Sequence, residues 1–275
     1  MPERRPAPSG TGSGAPNQHA RAAYELFAPH YDAFTAHHDY ERWTATLEGL
    51  ARDCGLRGRR LLDVACGTGK SFLPFLDRYD VTACDISPAM LRVAAAKAGD
   101  RARLEVCDMR DLPRLGSFDF ICCIDDAVNY VLAYDELVST FSGFARNLAP
   151  RGVVLFDVNT VLTYRTFFGS LTVVMGDERV LVWDGQAGES FGAGDLTQAT
   201  LEALNRRDDG TWWRERSVHH QRHHPHATVQ SALRRAGLQP VALRGMHLDG
   251  TMTETFDELE NSKAVYVARA RSEAG

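Results

Sequence analysis

The 275-residue chain reads as an α/β protein with a doubly wound, mostly parallel sheet of seven strands and an antiparallel β insertion after strand five. Three observations carry that reading. Short apolar runs alternate with helix-period segments between Arg60 and Val158. The first run ends in a glycine-rich turn. Beyond Val158 the runs become longer and partly alternating, with Asp-Gly pairs between or beside them. Near-continuous apolar runs suit strands buried on both faces of a parallel sheet, whereas period-two alternation suits strands with one face buried.

The elements follow in order. Residues 1–19, rich in Pro, Gly and Ser and poor in apolar side chains, are expected to form a disordered leader, without the apolar centre of a secretory signal. Residues 20–270 form one domain, 160–224 its inserted lid or oligomer contact, and 271–275 a tail. Trp43, Leu47, Leu50, Ala51 and Cys54 share one helical face, predicting a helix over Tyr40–Cys54. Strands are expected at Arg60–Cys66, Asp80–Asp85, Ala102–Cys107, Phe118–Ile124 and Gly152–Val158. Ser87 followed by Pro88 starts a helix carried by Ala89–Ala98, a hydroxyl cap before a proline. Leu137, Phe141, Phe144, Ala145 and Leu148 mark another helix, stopped at Pro150. The insertion is read as strands Leu171–Trp183, Ser190–Asn205 and Thr211–His224, with turns at Asp184-Gly185 and Asp209-Gly210. A helix over Pro225–Ala236, capped by Gly237, precedes final strands at Gln239–Arg244 and Ala264–Ala270.

Composition narrows the function. The chain is 44% apolar and 24% charged with a net charge of −5, so it lacks the basic footprint of a nucleic-acid binder. No apolar run approaches the roughly 18 residues of a membrane span. The six cysteines have no Cys-x-x-Cys spacing, so no metal site is expected from them, and they read as buried thiols of a cytoplasmic protein.

The segment Asp63-Val64-Ala65-Cys66-Gly67-Thr68-Gly69 lies where the first strand meets the first crossover, and glycine there allows a sharp turn and close approach of a ligand. A dinucleotide fingerprint starting at Gly67 needs a glycine where Phe72 stands. A P-loop ending at Gly69-Lys70-Ser71 needs one where Val64 stands. Asp85 ends the second strand, placed to accept ribose hydroxyls. Asp108-Met109 follows the third, a carboxylate for an adenine amino group and a side chain to pack on its ring.

In order and spacing these motifs resemble the class I S-adenosyl-L-methionine (SAM)-dependent methyltransferases, in their small-molecule, natural-product branch, over roughly Tyr24–Gly152. The resemblance implies a Rossmann-like methyltransferase fold with SAM as cofactor and S-adenosyl-L-homocysteine (SAH) as product. It also implies that Asp63 and the turn Ala65, Cys66, Gly67, Thr68 and Gly69 hold the methionine moiety, Asp85 the ribose, and Asp108 and Met109 the adenine. Ile86, Met90, Ile124 and Asp125 complete the cofactor set. Ala65 stands where the family usually has glycine.

The segment Tyr24–Asp32 resembles the flap that closes over SAM in this family, making Tyr31 the candidate beside the reactive methyl group, with Trp43 packing near the methionine end. Asn129, in the loop leaving strand four, and His219, in the tract His219–His226, are further candidates for catalysis. A solvated polar strand is an equal reading of that tract, and converging metal ligands are not. The resemblance favours transfer to nitrogen over oxygen of a small acceptor in bacterial secondary metabolism, with neither nucleic acid nor membrane as partner and a homo-oligomer through the insertion. An RNA or protein methyltransferase and a SAM-binding regulator without activity stay open.

Overall fold

Eight strands hydrogen-bond into one sheet in the computed structural model, which describes residues 16–271. The expected leader up to residue 15 and the tail after Arg271 lie outside the described residues. Helix α1 (Pro16–Phe34) already includes residues 16–19, which were assigned to the leader.

At the centre, β1 (Arg60–Val64) pairs in parallel with β2 (Asp80–Asp85) on one side and β4 (Phe118–Cys123) on the other. The sheet continues through β3 (Ala102–Val106) beyond β2 and β5 (Leu148–Asn159) beyond β4. The chain therefore winds outward twice from β1, and the reversal between β1 and β4 is the switch point where ligands bind in such sheets. Past β5 lie β12 (Lys263–Ala270), β10 (Leu238–Met246) and the two-residue β11 (Met252–Thr253), all antiparallel. This last strand, too short to leave a periodic signal, makes the sheet eight-stranded rather than seven-stranded.

Helices cover both faces. Leu47, Leu50 and Ala51 of α2 (Tyr40–Asp53) and Leu91 and Ala94 of α3 (Pro88–Ala98) bury against one face. Leu137, Phe141 and Phe144 of α4 (Tyr134–Asn147) and Val229, Ala232 and Leu233 of α6 (His226–Arg235) bury against the other. Asp39 caps α2 through the Arg42 N–H, and Ser87 Oγ caps α3 by accepting from Met90 N at 3.2 Å; such caps contribute about 1 kcal/mol each. The helix expected to reach Pro150 stops at Asn147, because Leu148 is drawn into β5 opposite Phe118.

The insertion is a separate four-stranded antiparallel sheet in the order β6 (Leu171–Met175), β7 (Arg179–Gly185), β8 (Leu196–Arg206), β9 (Trp212–Arg222). A short helix, α5 (Val161–Thr166), capped by Thr160, leads into it. The stretch read as one strand over Leu171–Trp183 is a hairpin, closed where Gly176 N donates to Arg179 O at 2.8 Å. Asp184-Gly185 is not a turn; both residues pair with β8. Gly185 is needed for another reason: the Phe168 backbone occupies the space a Cβ would take. The inner face of this sheet packs Trp183, Leu201 and Ala203 against Phe27, Ala28 and Phe34 of α1, which lies across the carboxyl ends of the parallel strands. Among the described residues no helix is long and apolar enough to cross a membrane.

Candidate active site

Three backbone positions in the turn after β1 are left-handed: Ala65 (φ 60°), Gly67 (φ 52°) and Gly69 (φ 88°). The first is the departure from the family's glycine, and alanine bears there the roughly 1–2 kcal/mol that a Cβ costs in this region. A Cβ on Gly67 would meet no protein atom within 4 Å, so the turn leaves open space above it. A Cβ on Gly69 would instead press on Phe72 and Ala94.

That open space belongs to a cleft over the ends of β1 to β4. Of the residues expected to hold the cofactor, Ala65, Cys66, Gly67, Asp85, Ile86, Asp108, Met109, Ile124, Asp125 and Tyr31 line it. Asp85 Oδ2 accepts from Gly67 N and Oδ1 from Ser87 N, each at 2.8 Å. These bonds fix the carboxylate and leave each oxygen a further lone pair. Burial pushes its pKa up to about 6, against the backbone N–H groups that favour ionisation. The Asp108 carboxylate is held by Arg110 through Nε and Nη2 at 2.9 and 2.8 Å. Arg110 is buried and was not anticipated, being one of many surface-type arginines in sequence.

At the other end, Tyr31 Oη and Tyr40 Oη both donate to Asp125 Oδ2, at 2.9 and 2.7 Å. Tyr31 reaches it from α1, Tyr40 from the first turn of α2, and Asp125 from the corner after β4. Tyr24, Tyr31, Asp125 and Tyr130 line both this cleft and a second, roomier chamber. The chamber is walled by Phe34, Trp43, Phe167, Phe168 and Trp183, and polar groups such as His38, Arg42 and Lys263 also line it. Tyr40, His38 and Lys263 were missed. They carry no local motif, and only the fold brings them together.

Other expected residues stand elsewhere. Asp63 lies beneath the turn, 1% exposed, where it accepts from Ser71 Oγ and, at 3.4 Å, from Cys122 Sγ. Burial raises its pKa to about 7. It braces the turn and does not line the cleft. Thr68 Oγ1 donates to Asp32 at 2.6 Å, and Met90 is buried against α1; neither these nor Gly69 line the cleft. Trp43 lines the second chamber rather than the methionine end. Asn129 is fully buried, donating to Arg222 O at 2.8 Å and accepting from Asn159 N at 2.9 Å, and lines neither space. His219 is also fully buried, with Nδ1 paired to Tyr130 Oη at 3.1 Å and Nε2 to Ser217 Oγ at 3.0 Å. Burial lowers its pKa to about 3, so it stays neutral and backs the aromatic wall instead of serving as a base. The remaining histidines of the tract part company: His223 meets Glu258, His224 the Val131 carbonyl, and His226 the Tyr266 hydroxyl.

The donor set suits SAM. Carboxylates face the cleft at both ends, an apolar strip of Ile86, Met109 and Ile124 lies along it, and its lining cations are committed, Arg110 to Asp108 and Lys70 to Thr35 O at 2.7 Å.

The methyltransferase domain family matches residues 61–152. YqeM of Bacillus subtilis, whose name proposes a methyltransferase, is 33% identical over 172 residues, 60% of this chain and 67% of that protein. The dTDP-3-amino-3,6-dideoxy-alpha-D-glucopyranose N,N-dimethyltransferase of Streptomyces fradiae is 32% identical over 120 residues, 43% of this chain and 47% of that protein. Among solved structures, an S-adenosylmethionine-dependent methyltransferase from Clostridium acetobutylicum ATCC 824 matches with a TM-score of 0.76 at 23% identity, over 90% of this chain and 99% of that one. Fold, cleft and relatives together define a methyl-transferring enzyme: the chain belongs to the class I SAM-dependent methyltransferases, and SAM is its cofactor.

Proposed function

We propose that the protein transfers the methyl group of SAM to an amine nitrogen of a small molecule held in the second chamber. The observation that carries this reading is the shared boundary, where the Asp125 carboxylate faces both spaces while two phenols fix it. SAM supplies an electrophilic methyl group on a good leaving sulfur, so the protein's task is mainly alignment, which contributes roughly 7–11 kcal/mol in well-oriented reactions. Asp85 would hold the ribose, Asp108 and Met109 the adenine, and the Gly67 turn the methionine end.

On the acceptor side, Asp125 accepts a hydrogen bond from the incoming amine and aims its lone pair. His38 lines the same chamber. Burial lowers its pKa from the ordinary imidazole value, so at neutral pH an imidazole nitrogen is free to take the proton the amine must lose. Phe167, Phe168 and Trp183 close the chamber, giving the insertion the role of a lid. The amino-sugar N,N-dimethyltransferase relative supports nitrogen as the acceptor.

The test incubates purified protein with SAM and three sets of acceptors: amines including dTDP-amino sugars, phenols, and bulk tRNA. Mass spectrometry should find methylated amine alone. Methylated phenol or tRNA without methylated amine contradicts the reading.

A further inference from the structure

The corner that presents Asp125 is strained. Asp125 and Asp126 both have positive φ, 63° and 53°, a conformation that residues with a Cβ disfavour and that persists only where surroundings over-determine it. The fixing comes from β12, two strands away in the sheet. Lys263, the first residue of β12, places Nζ 2.7 Å from Asp157 Oδ2, 3.0 Å from Asp126 Oδ1 and 3.7 Å from Asp125 Oδ1. Asp157 Oδ2 also accepts the Asp126 backbone N–H at 3.2 Å, and Gln221 Nε2 donates to Asp126 Oδ2 at 2.6 Å. One ammonium thus ties the backbone and both side chains of the corner, and it is 14% exposed.

Three carboxylates share this single ammonium, so removing it would leave like charges facing one another. Burial already pushes Asp126 up to about 6 and raises Asp157. For Asp125 burial also acts upward, but the Lys263 ammonium, His38 and the Tyr40 and Tyr31 hydroxyls outweigh it and hold the carboxyl below its ordinary value. The groups facing Asp125 are therefore Tyr31 from α1, Tyr40 from α2, His38 between them, Asp126 beside it, Asp157 from β5 and Lys263 from β12, with Lys70 acting from farther off.

We propose that Lys263 is a positioning residue for methyl transfer: from β12 its ammonium clamps the Asp125–Asp126 corner, so that Asp125 presents its charge at the boundary between the cofactor cleft and the acceptor chamber. This rests on the reading of that boundary given above. It predicts that Lys263 acts on the sulfonium end of SAM through Asp125 without lining the cofactor cleft itself.

The probes are SAM, which carries a sulfonium charge, and SAH, which does not. Calorimetric titration of both from about pH 8 to about pH 6 gives their affinity ratio, in which the shared ribose and adenine contacts cancel. In the parent the ratio stays level down to about pH 7, because Asp125 stays ionised and Asp126, pushed up only to about 6, has not yet titrated. In Lys263→Met the three carboxylates repel, the cluster takes up a proton within this range, the negative charge facing the sulfonium drops, and the ratio falls at least about threefold as pH drops. Lys263→Arg keeps a cation and a level ratio. A level ratio in folded Lys263→Met overturns the proposal, since a merely structural lysine would leave it unmoved. If Lys263→Met does not fold, Lys263→Met with Asp157→Asn, which removes the buried carboxylate left unpaired, is measured by the same criterion. No acceptor is present, so a failed amine assay and a failed clamp are told apart.

Discussion

The cleft proposed for the cofactor and the chamber proposed for the acceptor share a boundary but are assembled differently. The groups proposed to bind SAM lie at the ends of consecutive strands, each a few residues from its own motif: Gly67 after β1, Asp85 ending β2, Asp108 and Met109 after β3. The chamber draws on α1, the start of α2, α5 and the segment after it, β7, the turn after β10 and the head of β12. Its contacts span the chain, as when Lys263 meets Asp126 across 137 positions. A parallel sheet fixes its strand ends with backbone hydrogen bonds, so a binding site there needs few further supports. A chamber built from distant segments depends on paired side chains such as Tyr31–Asp125 to hold it together.

This contrast predicts that substitutions in the turn act on SAM binding, whereas those at the boundary act on turnover. The largest effect is expected at Gly67. Valine there must adopt φ near 52°, and its branches enter the open cleft, so SAM affinity measured by calorimetry should fall at least about a hundredfold, or ~2.7 kcal/mol. Parental affinity in Gly67→Val would remove the turn from the cofactor site.

Asp63 sharpens the comparison from below the turn. Its folded pKa of about 7 lies above its unfolded value, so it contributes stability below about pH 4 that is lost as pH rises through 7. Urea titrations should find parent stability relative to Asp63→Asn declining by roughly 1–2 kcal/mol between about pH 6 and about pH 8. Parallel profiles would mean that Asp63 is not buried as described.

At the boundary, Tyr31→Phe should lower turnover about tenfold, or ~1.4 kcal/mol, while the protein stays folded, because Tyr40 still holds Asp125. A lowered melting temperature with unchanged turnover would make Tyr31 a scaffold residue. The smallest effect concerns Ala65: replacing it with glycine relieves a left-handed alanine, offset by glycine's larger unfolded-state entropy. Stability should rise by no more than about 1 kcal/mol, read as a small gain in melting temperature.

The same contrast explains what was legible in the sequence. The parallel core came through because buried strands leave apolar runs and crossover helices leave their period. Asp85 and Asp108, proposed here for the ribose and the adenine, were legible as cleft residues because they sit at fixed offsets from those runs. Asp63 was legible as part of the motif but not as a residue facing inward, because strand periodicity does not say which side of the turn a ligand occupies. Asn129 stood out by its loop after strand four and His219 by its histidine tract; only packing revealed that their polar atoms are already satisfied. Lys263 is the converse case, a single lysine before an apolar strand that reads as a solvated end. Gly185 was taken for a turn because Asp-Gly suits turns, whereas the approach of the Phe168 backbone decides it.

The central claim is that the cofactor lies along the strand ends with its sulfur at the Tyr31–Asp125 boundary, leaving the aromatic chamber to the acceptor. A crystal structure of the protein with SAH tests this most directly. The account predicts the purine against Met109, the ribose hydroxyls on Asp85 and the sulfur beside Tyr31 and Asp125, with the Phe167–Trp183 chamber free of cofactor. A purine stacked among Phe34, Phe167 and Trp183, or a sulfur remote from Asp125, would contradict it.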